Sequence, residues 1–123
     1  MIFLECRTHI SKKITFVNVD KIISLGVATD SDNQVFVKIE LSDENYKVIK
    51  VKGYMNEFNK EYINFEDTIE YHETLGEVII AAIIKLINSN LEENSIPYTI
   101  TLLDIYNIAY ERLKVIYPEL KEK

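Results

Sequence analysis

Thr74-Leu75-Gly76-Glu77-Val78-Ile79-Ile80-Ala81-Ala82-Ile83-Ile84-Lys85-Leu86-Ile87 is the stretch whose reading decides the fold. Thr74 to Glu77 match a capping box, in which the Thr hydroxyl accepts from the third helical amide and the Glu side chain reaches back. Val78 to Ile87 are apolar nearly all the way round, whereas a helix packing one face on a sheet needs an apolar stripe of only about 100°. In a chain of 123 residues the surplus must be covered by a second helix, by another subunit, or by both. Left exposed, it would form the kind of patch that marks an interface. Asn88-Ser89-Asn90 closes the helix, which gives it the span 74–90.

Downstream, Pro97 ends a loop of Asn, Glu and Ser. A second helix is expected over 101–117, opened by Thr101 with Asp104 in the third place of another capping box. It must stop before Pro118, which cannot continue it. Leu102, Ile105, Ala109, Leu113 and Ile116 form one stripe, with Tyr106, Tyr110 and Tyr117 alongside. Asn107, Glu111, Arg112 and Lys114 take the more polar side.

Upstream, the period changes from helical to alternating. Met1–Thr8 places Ile2, Leu4 and Cys6 on one side and Glu5 and Arg7 on the other. Ile14–Val19 is a β-branched run, with Asn18 and Asp20 where a turn belongs. Ile22–Thr29 is a third strand, ended by Asp30-Ser31-Asp32-Asn33. Val35–Leu41 and Tyr46–Lys52 read as a hairpin around Ser42-Asp43-Glu44-Asn45. Thr68–His72 reads as a last strand entering the helix, and 54–66 fits either a loop or one helical turn. The fold class is therefore α+β: an N-terminal antiparallel β-sheet over 1–73 followed by two C-terminal α-helices. The length suits one domain, 1–123, with no repeat and no linker.

Charge narrows the partners. The 14 Lys+Arg against 20 Asp+Glu give a net charge of −6. Residues 1–61 are neutral overall, so the whole excess lies in the second half, where Glu66, Asp67, Glu70, Glu73 and Glu77 follow one another without a base between. Such a face repels DNA, RNA and anionic membrane, whose binding rests on Lys and Arg displacing counterions. Only Arg7 and Arg112 offer guanidinium groups. One cysteine, Cys6, forms no internal disulfide and fits a reducing cytoplasm. The start of the chain lacks a basic n-region, and Glu5 interrupts its apolar run, so no secretion signal is expected. The longest apolar stretch is about half of what a bilayer requires.

The residues that carry chemistry are few. Cys6 and His9 have half-zinc-site spacing, but a zinc site needs three or four ligands and an odd separation on a strand sends the two to opposite faces. No metal is expected. Glu70, His72 and Glu73 suit a solvated element end better than acid–base work. No nucleophile elbow is present, and Gly26, Gly53 and Gly76 match no P-loop or dinucleotide fingerprint. No catalytic residue, no cofactor and no enzyme are expected. Gly76 leaves amides open to an anion, but Glu73 and Glu77 flank it with the wrong charge. Lys47, Lys50 and Lys52 read as a solvated strand face.

The second helix gives the best binding signal. Tyr106, Asn107, Tyr110, Glu111 and Arg112 fall within about two turns. A tyrosine offers a face for stacking a base, Asn a two-way hydrogen-bonding group, and Arg a bidentate grip on phosphate. Core packing of the tyrosines, with Arg112 paired to a surface Glu, is the competing reading.

Two resemblances bear on this. Thr15-Phe16-Val17-Asn18-Val19-Asp20-Lys21-Ile22, with Ile69-Glu70-Tyr71-His72-Glu73-Thr74-Leu75-Gly76-Glu77-Val78-Ile79, resembles the strand, N-x-D-x-I, hairpin and strand-into-helix order of short FlbD-like flagellar proteins. Those stop near the end of the first helix. Over its full length the chain resembles the phage anti-Thoeris sponge proteins (Thoeris anti-defence protein 1 family) in size, in a sheet followed by two helices, and in an AT-rich, prophage-like composition. The resemblance implies a homo-oligomer in the host cytoplasm that sequesters a cyclic ADP-ribose isomer and so blocks a TIR-dependent antiphage defence without cleaving the signal.

On this reading the residues assign as follows. The adenine stacks on Tyr106 or Tyr110, the pyrophosphate meets Arg112 with Arg7, and Asn107 or Asn90 holds ribose hydroxyls. The Val78–Ile87 helix joins the subunits, through a two-fold interface for preference. The alternative is a small acidic interaction or regulatory module that docks a basic partner and has no small-molecule ligand.

Overall fold

The computed structural model describes residues 1–43, 45–51, 69–91 and 97–118. It has an α+β architecture, with an antiparallel sheet followed by two helices. The strands are β1 (Ile2–Thr8), β2 (Ile14–Asn18), β3 (Ile22–Thr29), β4 (Val35–Leu41), β5 (Tyr46–Lys50) and β6 (Tyr98–Ile100), and the helices are α1 (Ile69–Asn90) and α2 (Leu102–Ile116). The sheet runs β2-β1-β5-β4-β3, and β6 adds to β1 as the one parallel pairing among the described strands.

The connection from β2 to β3 fixes the curvature. These strands lie at opposite ends of the five-strand order, yet only the 3-10 turn Val19–Lys21 joins them. Three residues of 3-10 helix advance about 6 Å, whereas four strand spacings in a flat sheet add to about 19 Å. The sheet must therefore curl until its two ends approach. Asn18 makes the turn by accepting, through Oδ1, from the amide of Asp20 at 2.9 Å. The expectation of a turn at Asn18 and Asp20 holds.

β1 divides its second edge. Arg7 and Thr8 pair with Val48 and Lys47 of β5, while Ile2, Phe3 and Leu4 pair with Tyr98, Thr99 and Ile100 of β6. Past Val48 the two strands part, and α2 serves the freed backbone: Tyr106 Oη donates to the Lys50 carbonyl at 3.2 Å.

The inner face of the sheet carries Leu4, Cys6, Val17, Val37, Ile39 and Ile49, all buried beneath the helices. Directly opposed residues share a face, so the register also shows where the lysines point. Lys47 opposes Ile39 on the inner side, and Lys50 opposes Phe36 on the outer side. The two lysines do not build one patch, and Lys52 and the segment 54–66 lie outside the described residues.

α1 begins at Ile69, five residues before the expected Thr74, and Ile69–His72 is helix rather than strand. The reason is packing. His72, Leu75, Gly76, Ile79 and Ile83 are buried in helical spacing, so the stripe that faces the sheet passes through the capping-box position instead of starting there. Gly76 packs against β3: a Cβ there would lie 3.0 Å from a Val27 methyl. At the second helix Thr101 is the N-cap as expected, its Oγ1 accepting from the Asp104 amide at 3.2 Å. Glu5, from β1, adds a second cap by accepting from the Leu102 amide at 3.0 Å. No described helix is long and apolar enough to cross a membrane.

Candidate binding groove between the two helices

The apolar surplus of α1 is resolved in three directions. Leu75, Ile79 and Ile83 enter the core against the sheet. Val78 and Ala82 turn towards α2. Ala81 and Ile84 remain outside, Ile84 with 48% of its surface exposed.

Between the outer shoulders of the helices lies a groove of about 710 Å³. α1 contributes Val78, Ala81, Ala82 and Lys85 to it. α2 contributes Ile108, Glu111, Arg112 and Val115, which recur at helical spacing on one face, together with Asn107. The floor is apolar and the rim polar, and the volume lies within the range of small-molecule sites, about 300–1,000 Å³.

Two of the rim groups are cations without an acidic partner among the described residues, Lys85 and Arg112. Glu111 is engaged with Lys114 at 3.3 Å, an exposed pair whose stabilisation is at most about 1 kcal/mol. The groove therefore presents a local positive charge on the acidic half of the chain. Asn107 adds a side-chain amide able both to donate and to accept.

The residues singled out in the sequence do not all meet here. Arg112 and Asn107 do. Tyr106 and Tyr110 lie on the opposite face of α2, only 2% and 5% exposed. Tyr106 is tied to Lys50 as described, and Lys114 Nζ sits 4.6 Å from the Tyr110 ring centroid. Both rings serve the core, so the competing reading holds for the tyrosines.

Arg7 and Asn90 do not line the groove either. Arg7 is in the sheet, donating to the Lys12 carbonyl at 2.9 Å. Asn90 folds back on its own helix, Nδ2 donating to the Leu86 carbonyl at 2.7 Å. Lys85 is the rim residue that sequence reading left out. Its signal was its position as the one charge inside the Val78–Ile87 run.

The other candidate chemistry resolves into structure. Cys6 is fully buried, and burial pushes its thiol up to about 12. His9 stacks on Tyr46 with ring centroids 4.2 Å apart. Among the described residues no group of three or more His, Cys, Asp or Glu is placed to hold a metal ion. His72 is buried in α1 rather than solvated, contrary to the expectation for an element end.

No family model, curated protein or solved structure matches the chain.

Proposed function

We propose that this chain is a non-enzymatic binding protein that captures a cyclic ADP-ribose-type nucleotide in the groove between α1 and α2, in the manner of the anti-Thoeris sponges it resembles in size and element order. The observation that carries this reading is Arg112, a guanidinium without an acidic partner among the described residues, at the rim of an apolar groove of nucleotide size. A guanidinium grips a pyrophosphate through two parallel hydrogen bonds, which a lysine does not reproduce.

The chemistry of the groove assigns the rest of the ligand. With Tyr106 and Tyr110 in the core, the base lies against Val78, Ala82, Ile108 and Val115 instead of stacking on a ring. Asn107 hydrogen-bonds the base edge or a ribose hydroxyl, and Lys85 supplements Arg112. Among the described residues no Ser, Thr, Cys or His lines the groove, which suits capture without covalent chemistry.

Isothermal titration of the protein with cyclic ADP-ribose isomers tests the assignment. Binding of one isomer by the wild type, weakened about 10- to 100-fold in Arg112→Ala, is the expected result. An Arg112→Ala variant that binds with unchanged affinity removes the groove from the account.

A second reading is favoured by a different surface. Ile14 and Phe16 lie on one face of β2 and are both more than half exposed, as an interaction module would have them. Absence of heat with every isomer, together with saturable binding of a basic protein that Phe16→Ser abolishes, would replace the first reading with this one.

A further inference from the structure

β3 carries an irregularity that the groove between the helices does not use. Ile22 pairs with Leu41 and Ser24 with Glu40, so three residues of β3 span two of β4 and Ile23 is the extra one. Such a bulge re-aims a side chain, and bulges recur beside binding sites. Ile23 is 66% exposed, and it lines a cavity of about 330 Å³ on the outer side of the sheet, at the β4–β5 hairpin. The polar groups of this cavity come from the two strands and the turn between them. Lys38 and Glu40 are two apart on β4 and share its outer side. Tyr46 stands directly opposite Glu40 on β5, and Ser42 and Asn45 belong to the turn.

These groups are held in place within the fold. Lys38 Nζ lies 3.5 Å from Glu40 Oε1 and 4.7 Å from the centroid of the Tyr46 ring. Tyr46 is itself stacked on His9. The His9 carbonyl accepts from Lys12 Nζ at 2.7 Å, which ties the stack to the β1–β2 turn. Fixing the groups in advance lowers the ordering cost of binding. Both members of the Lys38–Glu40 pair are more than a third exposed. An exposed pair adds little stability, so exchanging it for contacts with a ligand costs little. The Ser42 hydroxyl and the Asn45 carboxamide have no hydrogen-bond partner among the described residues.

The charge pattern selects the ligand. One ammonium beside one carboxylate makes the cavity neutral overall. An anion would satisfy Lys38 and be repelled by Glu40, and a cation would do the reverse. A ligand with both charges on neighbouring atoms satisfies both, its carboxylate with Lys38 and its ammonium with Glu40. A free α-amino acid has that arrangement, whereas a peptide carries its terminal charges far apart. The volume is less than half that of the groove. It sits at the lower end of small-molecule sites, about 300–1,000 Å³, which suits a single amino acid. Ile23 supplies an apolar wall, which favours an aliphatic side chain.

We propose that this cavity is a second ligand site, one that takes a free aliphatic α-amino acid. Lys38 binds the carboxylate, Glu40 the ammonium and Ile23 the side chain, while Ser42 and Asn45 supply further hydrogen bonds. None of these residues lines the groove between α1 and α2, so the site stands whether or not a nucleotide binds there.

Isothermal titration of the full chain with L-leucine tests the site, and saturable binding of one molecule per chain is expected. N-acetyl-L-leucine lacks the ammonium and L-leucinamide lacks the carboxylate, and each should bind at least about tenfold more weakly. Glu40→Gln and Lys38→Met should each weaken leucine binding about 10- to 100-fold. Ile23→Ala should weaken leucine about tenfold and narrow its advantage over L-alanine. Circular dichroism of the three variants should be unchanged, since all three side chains lie at the surface. Arg112→Ala should bind leucine as the wild type does. Absence of heat with leucine, isoleucine and valine would overturn the proposal. So would N-acetyl-L-leucine binding as tightly as leucine, or Glu40→Gln without effect. Loss of leucine binding in Arg112→Ala would move the ligand to the groove and overturn the assignment as well.

Discussion

Cys6 shows what a single side chain reveals about its surroundings. It faces inward from β1 with Leu4, and desolvation holds its thiol neutral, near 12 against an ordinary 9.0. The sign of the pH effect follows. Below about pH 9 both folded and unfolded chains keep the proton, and the group contributes no pH dependence. From about 9 towards 12 the unfolded state gives up its proton first, so stability falls as pH rises. Urea unfolding at pH 8 and pH 10 should show this decline, and Cys6→Ala should lose the part due to the thiol. A thiol reagent at pH 8 should modify Cys6 only in denaturant. Rapid stoichiometric labelling of the native protein would contradict the buried placement. Tyr106 and Tyr110 mark where residue-level reading is weakest. A tyrosine at helical spacing supplies either a core ring or a stacking platform, and only the packing partner decides. Here the Lys50 carbonyl, freed where β5 parts from β1, claims Tyr106.

At the scale of elements, the strands and the second helix were legible because each carries its own local signal. β4 alternates buried and half-buried residues along its whole length, and Thr101 and Asp104 mark the start of α2. The start of α1 at Ile69 departs from the expected Thr74 for a physical reason. A capping box is a local offer to begin a helix, and the buried stripe from His72 through Ile83 overrides it. β6 was not legible at all, since three residues gain strand geometry only from the edge of β1 that β5 leaves open. Gly76 is where α1 depends most on shape. Gly76→Val should drive a branched side chain into Val27, at 3.0 Å from the first added carbon, and destabilise the protein by about 1–3 kcal/mol in urea titration. An unchanged midpoint would show that helix and strand are not in close contact there. Glu5 is the corresponding test at α2. Glu5→Ala removes a carboxylate from the Leu102 amide and should cost about 1 kcal/mol, whereas Glu5→Gln should retain part of the cap. Equal losses in both variants would assign the effect to charge alone.

At the scale of the whole molecule, topology places the chemistry. The short β2–β3 turn curls the sheet, the curled sheet takes both helices on its inner face, and the helices leave a groove between their outer shoulders. That groove was not readable from sequence spacing, because its walls come from segments separated by the whole β6 region. Only Arg112 and Asn107 were foreseen in it, since both lie on the polar side of one helix, whereas Lys85 belongs to the other wall. The −6 net charge makes the local cations of the groove count: on the proposed reading they are what lets an acidic chain hold an anionic ligand. On the proposed reading a nucleotide is held there and returned unchanged. The most direct test incubates the protein with a cyclic ADP-ribose isomer, removes free ligand, denatures the complex by heat and weighs the released molecule by mass spectrometry. Recovery of the intact isomer in stoichiometric amount is the predicted result. A cleaved product would make the protein an enzyme, and no recovered nucleotide from any isomer would contradict the claim.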